Sequence, residues 1–522
     1  MKLVKNGILV DGTGAGGRTG SVVVEGDRIA DVLEGAFGAS GVDESLFDEV
    51  IDAAGALVTP GFIDCHAHSD AYLIVEPDAP SKIAQGITTE INGQCGGSAV
   101  PRFGEARLSS DWAAVLGERL SWRTVGEYRD VFDKAKPAVN TVQFIGHNTL
   151  RSSVVGYAGR EADDSELKSM VRLLEQSLDE GGWGLTTGLI YQPGKYSTPS
   201  EVEALAKTAA SKDAFYATHM RSEGDFLEEA VDEVIALARS TGVRAEISHL
   251  KTSGRRNWSK IDKVLDKVGS AVNEGVVLGA DRYPFCAAGT DLDVVLPDWA
   301  QEGAALAETE RLADPALRAR IVGEIDACGR DWATVMIGGT WHLDNKPFSG
   351  KFVSDCARGS VGGFIADVLA RDGCKTGAFF FGMSEDNLDR ILAMPWVLPG
   401  SDASLRAPWG PLGKDHPHPR AYSTMPEFFR RLRRAGFTVG ECVKRMTSQP
   451  ACRFGIRNRG RLERGAYADI AVWDEATFAG TATYEDPHRF AEGMRAVMVN
   501  GIISYRDNVF TGNRAGRFLE RN

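Results

Sequence analysis

The chain has 522 residues, with 59 Lys and Arg against 72 Asp and Glu, a formal net charge of −13. Hydrophobic residues at 43% and charged residues at 25% are ordinary for a globular protein, which excludes disorder, collagen and coiled coil as the main architecture. The acidic balance without a Lys/Arg-rich run argues against nucleic acid and anionic membrane as partners.

At the start, the β-type runs 21–24 and 28–32 flank the turn Glu25-Gly26-Asp27. Near the end, 468–473 reads as another strand, and 496–499 and 502–505 flank Asn500-Gly501. An Asn-Gly pair between two β runs is the strongest short hairpin signal, because both central residues take φ > 0. The segments 1–57 and 456–522 are therefore expected to form the two parts of one small β domain, with two unrelated hairpins as the alternative. The N-terminus carries no apolar h-region, and no run of about 18 apolar residues occurs anywhere, so a cytoplasmic location is expected. The eight cysteines are scattered without CxxC spacing, which suits reduced thiols.

Between the ends, short apolar runs at 57–63, 87–91, 141–146, 183–187, 214–218, 243–248, 276–281 and 396–401 alternate with helix-sized stretches. That alternation predicts an α/β fold with a (β/α)8 barrel of the TIM type across 58–455. In the stretch 226–240, Leu227, Ala230, Val231, Val234, Ile235 and Ala238 recur at the spacing of one helix face. The gap after 281 is too long for one connection, and an insertion over the barrel mouth is expected at 286–348.

Barrel enzymes place their chemistry at the C-terminal ends of the strands. The first predicted strand ends in His66-Ala67-His68, and two residues at i and i+2 point to the same side, so both imidazoles can reach one metal. The second leads to Cys95 in a glycine-rich loop, a soft ligand if it is a thiolate, although an isolated Cys is more often an apolar filler. The fifth ends in His219, the sixth in His249 and the eighth in Asp402. Four of the nine histidines thus fall at the ends of three predicted strands. The set reads as a mononuclear or binuclear metal site with a carboxylate acid/base.

The run Thr59-Pro60-Gly61-Phe62-Ile63-Asp64-Cys65-His66-Ala67-His68 resembles the metal motif of the amidohydrolase superfamily. Within it the chain resembles the D-aminoacylases (N-acyl-D-amino-acid deacylases), on Gly146-His147-Asn148-Thr149-Leu150-Arg151, Gly188-Leu189-Ile190-Tyr191-Gln192-Pro193, Thr218-His219-Met220-Arg221, Ser248-His249-Leu250-Lys251, Asn257-Trp258, Asp281-Arg282-Tyr283-Pro284, Gly400-Ser401-Asp402 and His418-Pro419-Arg420-Ala421-Tyr422. The resemblance implies that Cys95, His219 and His249 hold a tightly bound zinc, with His66 and His68 forming a second, weaker position that Cys95 bridges. It implies that Asp402 takes a proton from the attacking water and returns it to the leaving amine. It places Lys251, Tyr283 and Arg420 at the α-carboxylate of a small amide substrate and Tyr191 at the scissile carbonyl.

The chain departs from the family pattern in places. Ala403 and Ser404 follow Asp402 where Gly is common, and Asn148 and Ser423 stand where Gly is expected. The alternatives are cleavage of another small amide, such as a D-dipeptide or a hydantoin-like ring, and a non-catalytic scaffold of the same fold. Cyclic-amide relatives usually carry a bridging carboxylated Lys, which Leu185-Thr186-Thr187-Gly188 does not offer, and a scaffold should have lost its ligands.

Overall fold

The computed structural model describes residues 1–39, 41–108, 116–117 and 121–521. Its centre is built from short apolar strands, each released by a helix that returns the chain to the same edge. In chain order these are β1 (Phe62–Asp64), β2 (Ile87–Asn92), β3 (Asn140–Gln143, continued as Ile145–Gly146), β4 (Gly184–Gly188), β5 (Phe215–His219), β6 (Arg244–Ile247), β7 (Leu278–Arg282) and β8 (Val397–Pro399). They form two parallel arcs, β1-β2-β3 and β3-β4-β5-β6-β7-β8, which share the two halves of β3. At the other ends of the arcs the Cys65 amide donates to the Pro399 carbonyl at 3.0 Å, and Ala67 bridges Ala403 in parallel. The fold is α/β and of the TIM-barrel type. Its strands are buried along their length, as parallel strands covered by helices must be.

The helix read from the sequence at 226–240 forms as Leu227–Thr241, with its apolar stripe buried and Gly242 closing it at φ 70° in the left-handed conformation. No described helix is long and apolar enough to cross a membrane.

The two chain ends share one sheet of nine strands. Leu57–Pro60 is its pivot, pairing with Lys2–Leu9 on one side and with Ile470–Trp473 on the other. Asn500 and Gly501 take φ of 46° and 78°, the geometry expected of a tight hairpin between Met494–Val499 and Ile502–Arg506. From Pro60 the chain passes through Gly61 into β1. A Cβ at Gly61 would lie 2.2 Å from Thr88 Oγ1, so only glycine lets this sheet hand over to the barrel so closely.

The segment between β7 and β8 forms a separate layer. Gly377–Phe381 pairs between Ala287–Asp291 and Val335–Ile337, and three helices, Ala304–Ala313, Pro315–Ala327 and Val361–Asp372, pack around a core that includes Leu292, Ile321, Ile325 and Ile365. This layer runs on past 348 to Phe381, because its middle strand is the last of the three in sequence.

Under the open end of the barrel lies a fully buried cation. Lys82 Nζ sits 3.0 Å from Asp64 Oδ2 and 2.8 Å from Glu90 Oε1, and donates to Ser401 Oγ at 3.1 Å and the Ala403 carbonyl at 3.0 Å. Burial pushes the Glu90 carboxyl up, and only partly do the Lys82 charge and its hydrogen bond offset this. Lys82 thus ties β1 and β2 to the loop that carries Asp402. Lys82→Met would leave the Asp64 and Glu90 carboxylates without a counter-charge. The expected cost is about 3–5 kcal/mol, the range for breaking a buried ion pair from one side. It should show as a lowered denaturation midpoint, and an unchanged midpoint would mean that the ion cluster contributes nothing net.

Candidate metal centre and substrate site

The side chains at the strand ends converge, with carboxylates orienting the rings of His66 and His249. His66 directs Nδ1 to Asp281 Oδ2 at 3.0 Å, which turns Nε2 toward Cys95 Sγ and Asp402 Oδ1, both at 3.3 Å. His249 presents Nε2 to Cys95 Sγ at 3.2 Å. His66, Cys95, His249 and Asp402 thereby bring four ligand atoms within 4.8 Å of one another. His68 flanks the group with Nε2 3.1 Å from Asp402 Oδ1. The ring of His219 lies 4.4 Å from that of His249, and neither of its buried nitrogens has a hydrogen-bond partner among the described residues.

This donor set fits zinc. Imidazole nitrogens, a thiolate and a carboxylate at this spacing are the ligands a borderline divalent ion takes in catalytic sites. The charge balance fits as well. With the imidazoles neutral, Cys95, Asp402, Asp281 and Glu223 face Lys251 and Arg420, leaving two negative charges uncompensated in a buried site, the charge of one such ion.

The electrostatics follow from the contacts. Burial alone would raise the Cys95 thiol, but the charges of His66 and His249 outweigh it and hold the group well below its ordinary value. Burial would also raise Asp402, and Arg420 and His249 hold it well down as a carboxylate.

Three of these residues sit in the left-handed backbone region, Cys95 at φ 53°, His249 at φ 38° and Asp402 at φ 50°. Such positions cost about 1–3 kcal/mol each and persist only where the surroundings impose them. Around Cys95 the constraint comes from a clamp. Asn148 is the second residue of the helix His147–Val154. Its amide N–H donates to the Gly96 carbonyl at 2.9 Å, and its Nδ2 reaches the carbonyls of Gly188 at 3.2 Å and Tyr191 at 3.3 Å. The departure from Gly at 148 therefore places a side chain that fastens the Cys95 loop to the Tyr191 loop.

The tyrosine so held lies edge-on to His219, with ring centroids 4.9 Å apart. Opposite, the guanidinium of Arg420 lies 4.6 Å and the ammonium of Lys251 5.9 Å from the centre of the Tyr283 ring. Arg420 also holds Asp402 Oδ2 at 2.7 Å. Arg420 Nε and the Tyr283 hydroxyl are buried donors without a partner among the described residues, the state of a site that receives a carboxylate.

Asp281, Glu223 and Lys82 were not assigned roles from sequence. Asp281 and Glu223 had a usable signal: Asp281 stands near the end of a barrel strand, and Glu223 follows His219 by four residues. Lys82 had none, because its partners are spread from Asp64 to Ala403.

The model of the amidohydrolase family matches residues 49–213 and 381–505. D-aminoacylase of Alcaligenes xylosoxydans xylosoxydans is 32% identical over 525 residues, covering 99% of this chain and 97% of its own. N-acyl-D-glutamate deacylase of the same organism is 31% identical, covering 99% and 96%. Among solved structures, N-acyl-D-glutamate deacylase from Bordetella bronchiseptica, in complex with zinc and a phosphonate mimic of the tetrahedral intermediate, superposes with a TM-score of 0.83 at 31% identity, covering 100% of this chain and 99% of that one.

In the metal-free site, burial and the neighbouring Lys251 would lower His249, but the Cys95 thiolate and Glu223 raise it to about 10. His249 is thus protonated at pH 7 and has to release that proton when Nε2 takes a metal. Zinc uptake at pH 7 should therefore release at least one proton, and the apparent affinity should fall as pH falls. Calorimetry in two buffers of different ionisation enthalpy reads this directly; proton-neutral uptake would mean that His249 carries no proton to release before zinc binds, or is not a ligand.

Proposed function

Because the chain belongs to the amidohydrolase family, and within it to the D-aminoacylase group of metal-dependent C–N hydrolases, we propose that its substrates are N-acyl-D-amino acids, cleaved to a carboxylate and a free D-amino acid. The observation that carries this reading is the convergence on Asp402 of the metal cluster from one side and Arg420 from the other. A scissile carbonyl next to the cluster and an α-carboxylate on Arg420, Tyr283 and Lys251 would lie within the span of one amino acid. We read the two strand arcs as one eight-stranded barrel with the active site at its C-terminal face, the nine-stranded terminal sheet as a β-sandwich beside it, and the chain as cytoplasmic with its thiols reduced. The carboxylate-bearing small amide is the partner that the cationic groups recognise.

Zinc supplies a lowered water pKa, toward about 7, and polarisation of the amide carbonyl. The rest is done by this chain's side chains. Arg420 keeps Asp402 ionised, so Oδ1 can accept the proton of the attacking water as its oxygen bonds to the acyl carbon. The same proton then passes from Asp402 to the departing nitrogen as the C–N bond breaks. Tyr191, fixed by Asn148, stands where its hydroxyl can donate to the oxygen that gains negative charge. Lys251, Tyr283 and Arg420 hold the carboxylate and with it the angle at which the amide meets the water.

Asp402→Asn should keep stoichiometric zinc and lose about 10²–10⁴-fold in kcat, the contribution of a positioned general acid/base. A near wild-type rate would remove Asp402 from the chemistry. Amine release from matched N-acetyl-D- and N-acetyl-L-amino acids with acidic, apolar and aromatic side chains tests the substrate. Turnover confined to the D series is expected. Turnover of neither series by the zinc-loaded protein would move the substrate to another amide, with Ala403 and Ser404 the first residues to exchange.

A further inference from the structure

Behind the metal cluster, one carboxylate meets the far edges of two of its histidines. Glu223 follows β5 by four residues and is largely buried, at 13% side-chain exposure. Its Oε1 lies 2.9 Å from His249 Nδ1, and its Oε2 lies 3.5 Å from His219 Nε2. The opposite edges face the metal cluster or are free to do so: His249 Nε2 lies against Cys95 Sγ at 3.2 Å, and both ring nitrogens of His219 are buried without a hydrogen-bond partner among the described residues, Nε2 at ion-pair distance from Glu223 and Nδ1 on the opposite edge. The two rings thus offer different nitrogens, Nε2 from one and Nδ1 from the other, and the complementary nitrogens turn to the same carboxylate.

A neutral imidazole coordinates only through the nitrogen that carries no proton, and a carboxylate at the other nitrogen decides which one that is. We propose that Glu223 is the positioning residue that sets the tautomer and ring orientation of both His219 and His249, and so tunes how tightly the centre holds its metal. His219, Glu223 and His249 also have the spacing of a metal site of their own, but the ammonium of Lys251 already pairs with Glu223 Oε1 and lies 2.8 Å from His249 Nδ1. The cation of that cluster is the lysine. A carboxylate only accepts and an ammonium only donates, so of the two groups against His249 Nδ1 it is Glu223 that holds the Nδ1–H form and leaves Nε2 for the metal, while Lys251 favours the opposite tautomer; one oxygen of Glu223 lies between the metal ligand and the lysine read as holding the substrate.

The inference takes the metal centre as given and does not depend on which amide is cleaved, so it is tested without substrate. Zinc affinity of the wild type, Glu223→Gln, Glu223→Asp and Lys251→Met is measured by competition with a chromophoric chelator, and the cobalt-loaded forms are compared by their thiolate-to-metal absorption. Glu223→Gln should lose about 10–100-fold in zinc affinity, as outer partners of metal-bound histidines do, with an altered cobalt spectrum. Glu223→Asp, which keeps the charge but retracts it, should lie in between. Lys251→Met, which removes the donor competing for His249 Nδ1, should hold zinc at least as tightly as the wild type. If Glu223 only neutralises Lys251, Glu223→Gln will hold zinc as the wild type does, and the proposal fails. Should that variant not fold, wild-type zinc affinity in Glu223→Asp overturns it equally.

Discussion

The geometry of the centre depends on how Asp281 divides its two oxygens. Oδ2 takes the His66 imidazole at 3.0 Å and Oδ1 takes the backbone N–H of His249 at 2.9 Å, so one side chain on β7 sets a ligand after β1 and the backbone of a ligand after β6. The His249 N–H is available because its residue leaves the strand conformation; the Asp281 carbonyl receives the next amide, Leu250, at 3.0 Å. Space for this comes from Gly400, where a Cβ would lie 2.6 Å from His66 Cβ and 2.8 Å from Asp281 Oδ1. An aspartate on β7, a glycine just after β8 and a histidine just after β1 therefore form a single packing unit, and the thiol and Asp402 take their places around it.

Charge is layered outward from this unit. The donors that face the cluster are backed by carboxylates at Asp281 and Glu223, and those by cations or backbone amides. On the other flank the Lys82 cluster anchors the Asp402 loop through Ser401 and Ala403. Buried charges are tolerated only when each is paired and hydrogen-bonded, and each layer here supplies the partner that the one inside it needs. An acidic protein can in this way bind an anionic substrate, because its free negative charge is committed to the metal while Lys251 and Arg420 stand beside it.

Much of the plan was legible in the sequence because it rests on local periodicity. All eight apolar runs form strands, and the four ligand-type histidines, Cys95 and Asp402 sit just past their ends, which a reading of strand termini finds without tertiary information. The supporting carboxylates were not legible. Asp281 meets His66 across 215 residues and Lys82 meets Ser401 across 319. Asp, Glu and Lys are too common on any surface for one to stand out until the fold closes. The middle strand of the layer between β7 and β8, Gly377–Phe381, was missed for a similar reason, since its partners precede it by tens of residues and no hairpin turn announces it.

The left-handed backbone at Cys95, His249 and Asp402 bears on how such a protein can change. At each of these positions glycine would relieve the backbone and remove the reactive side chain in the same step. Selection for heat resistance alone would therefore favour losing the catalyst, and any lineage that keeps all three residues reveals that turnover, not robustness, was under selection. The same conflict warns the protein engineer: a stabilising screen blind to activity would find its gains first at the residues that do the chemistry.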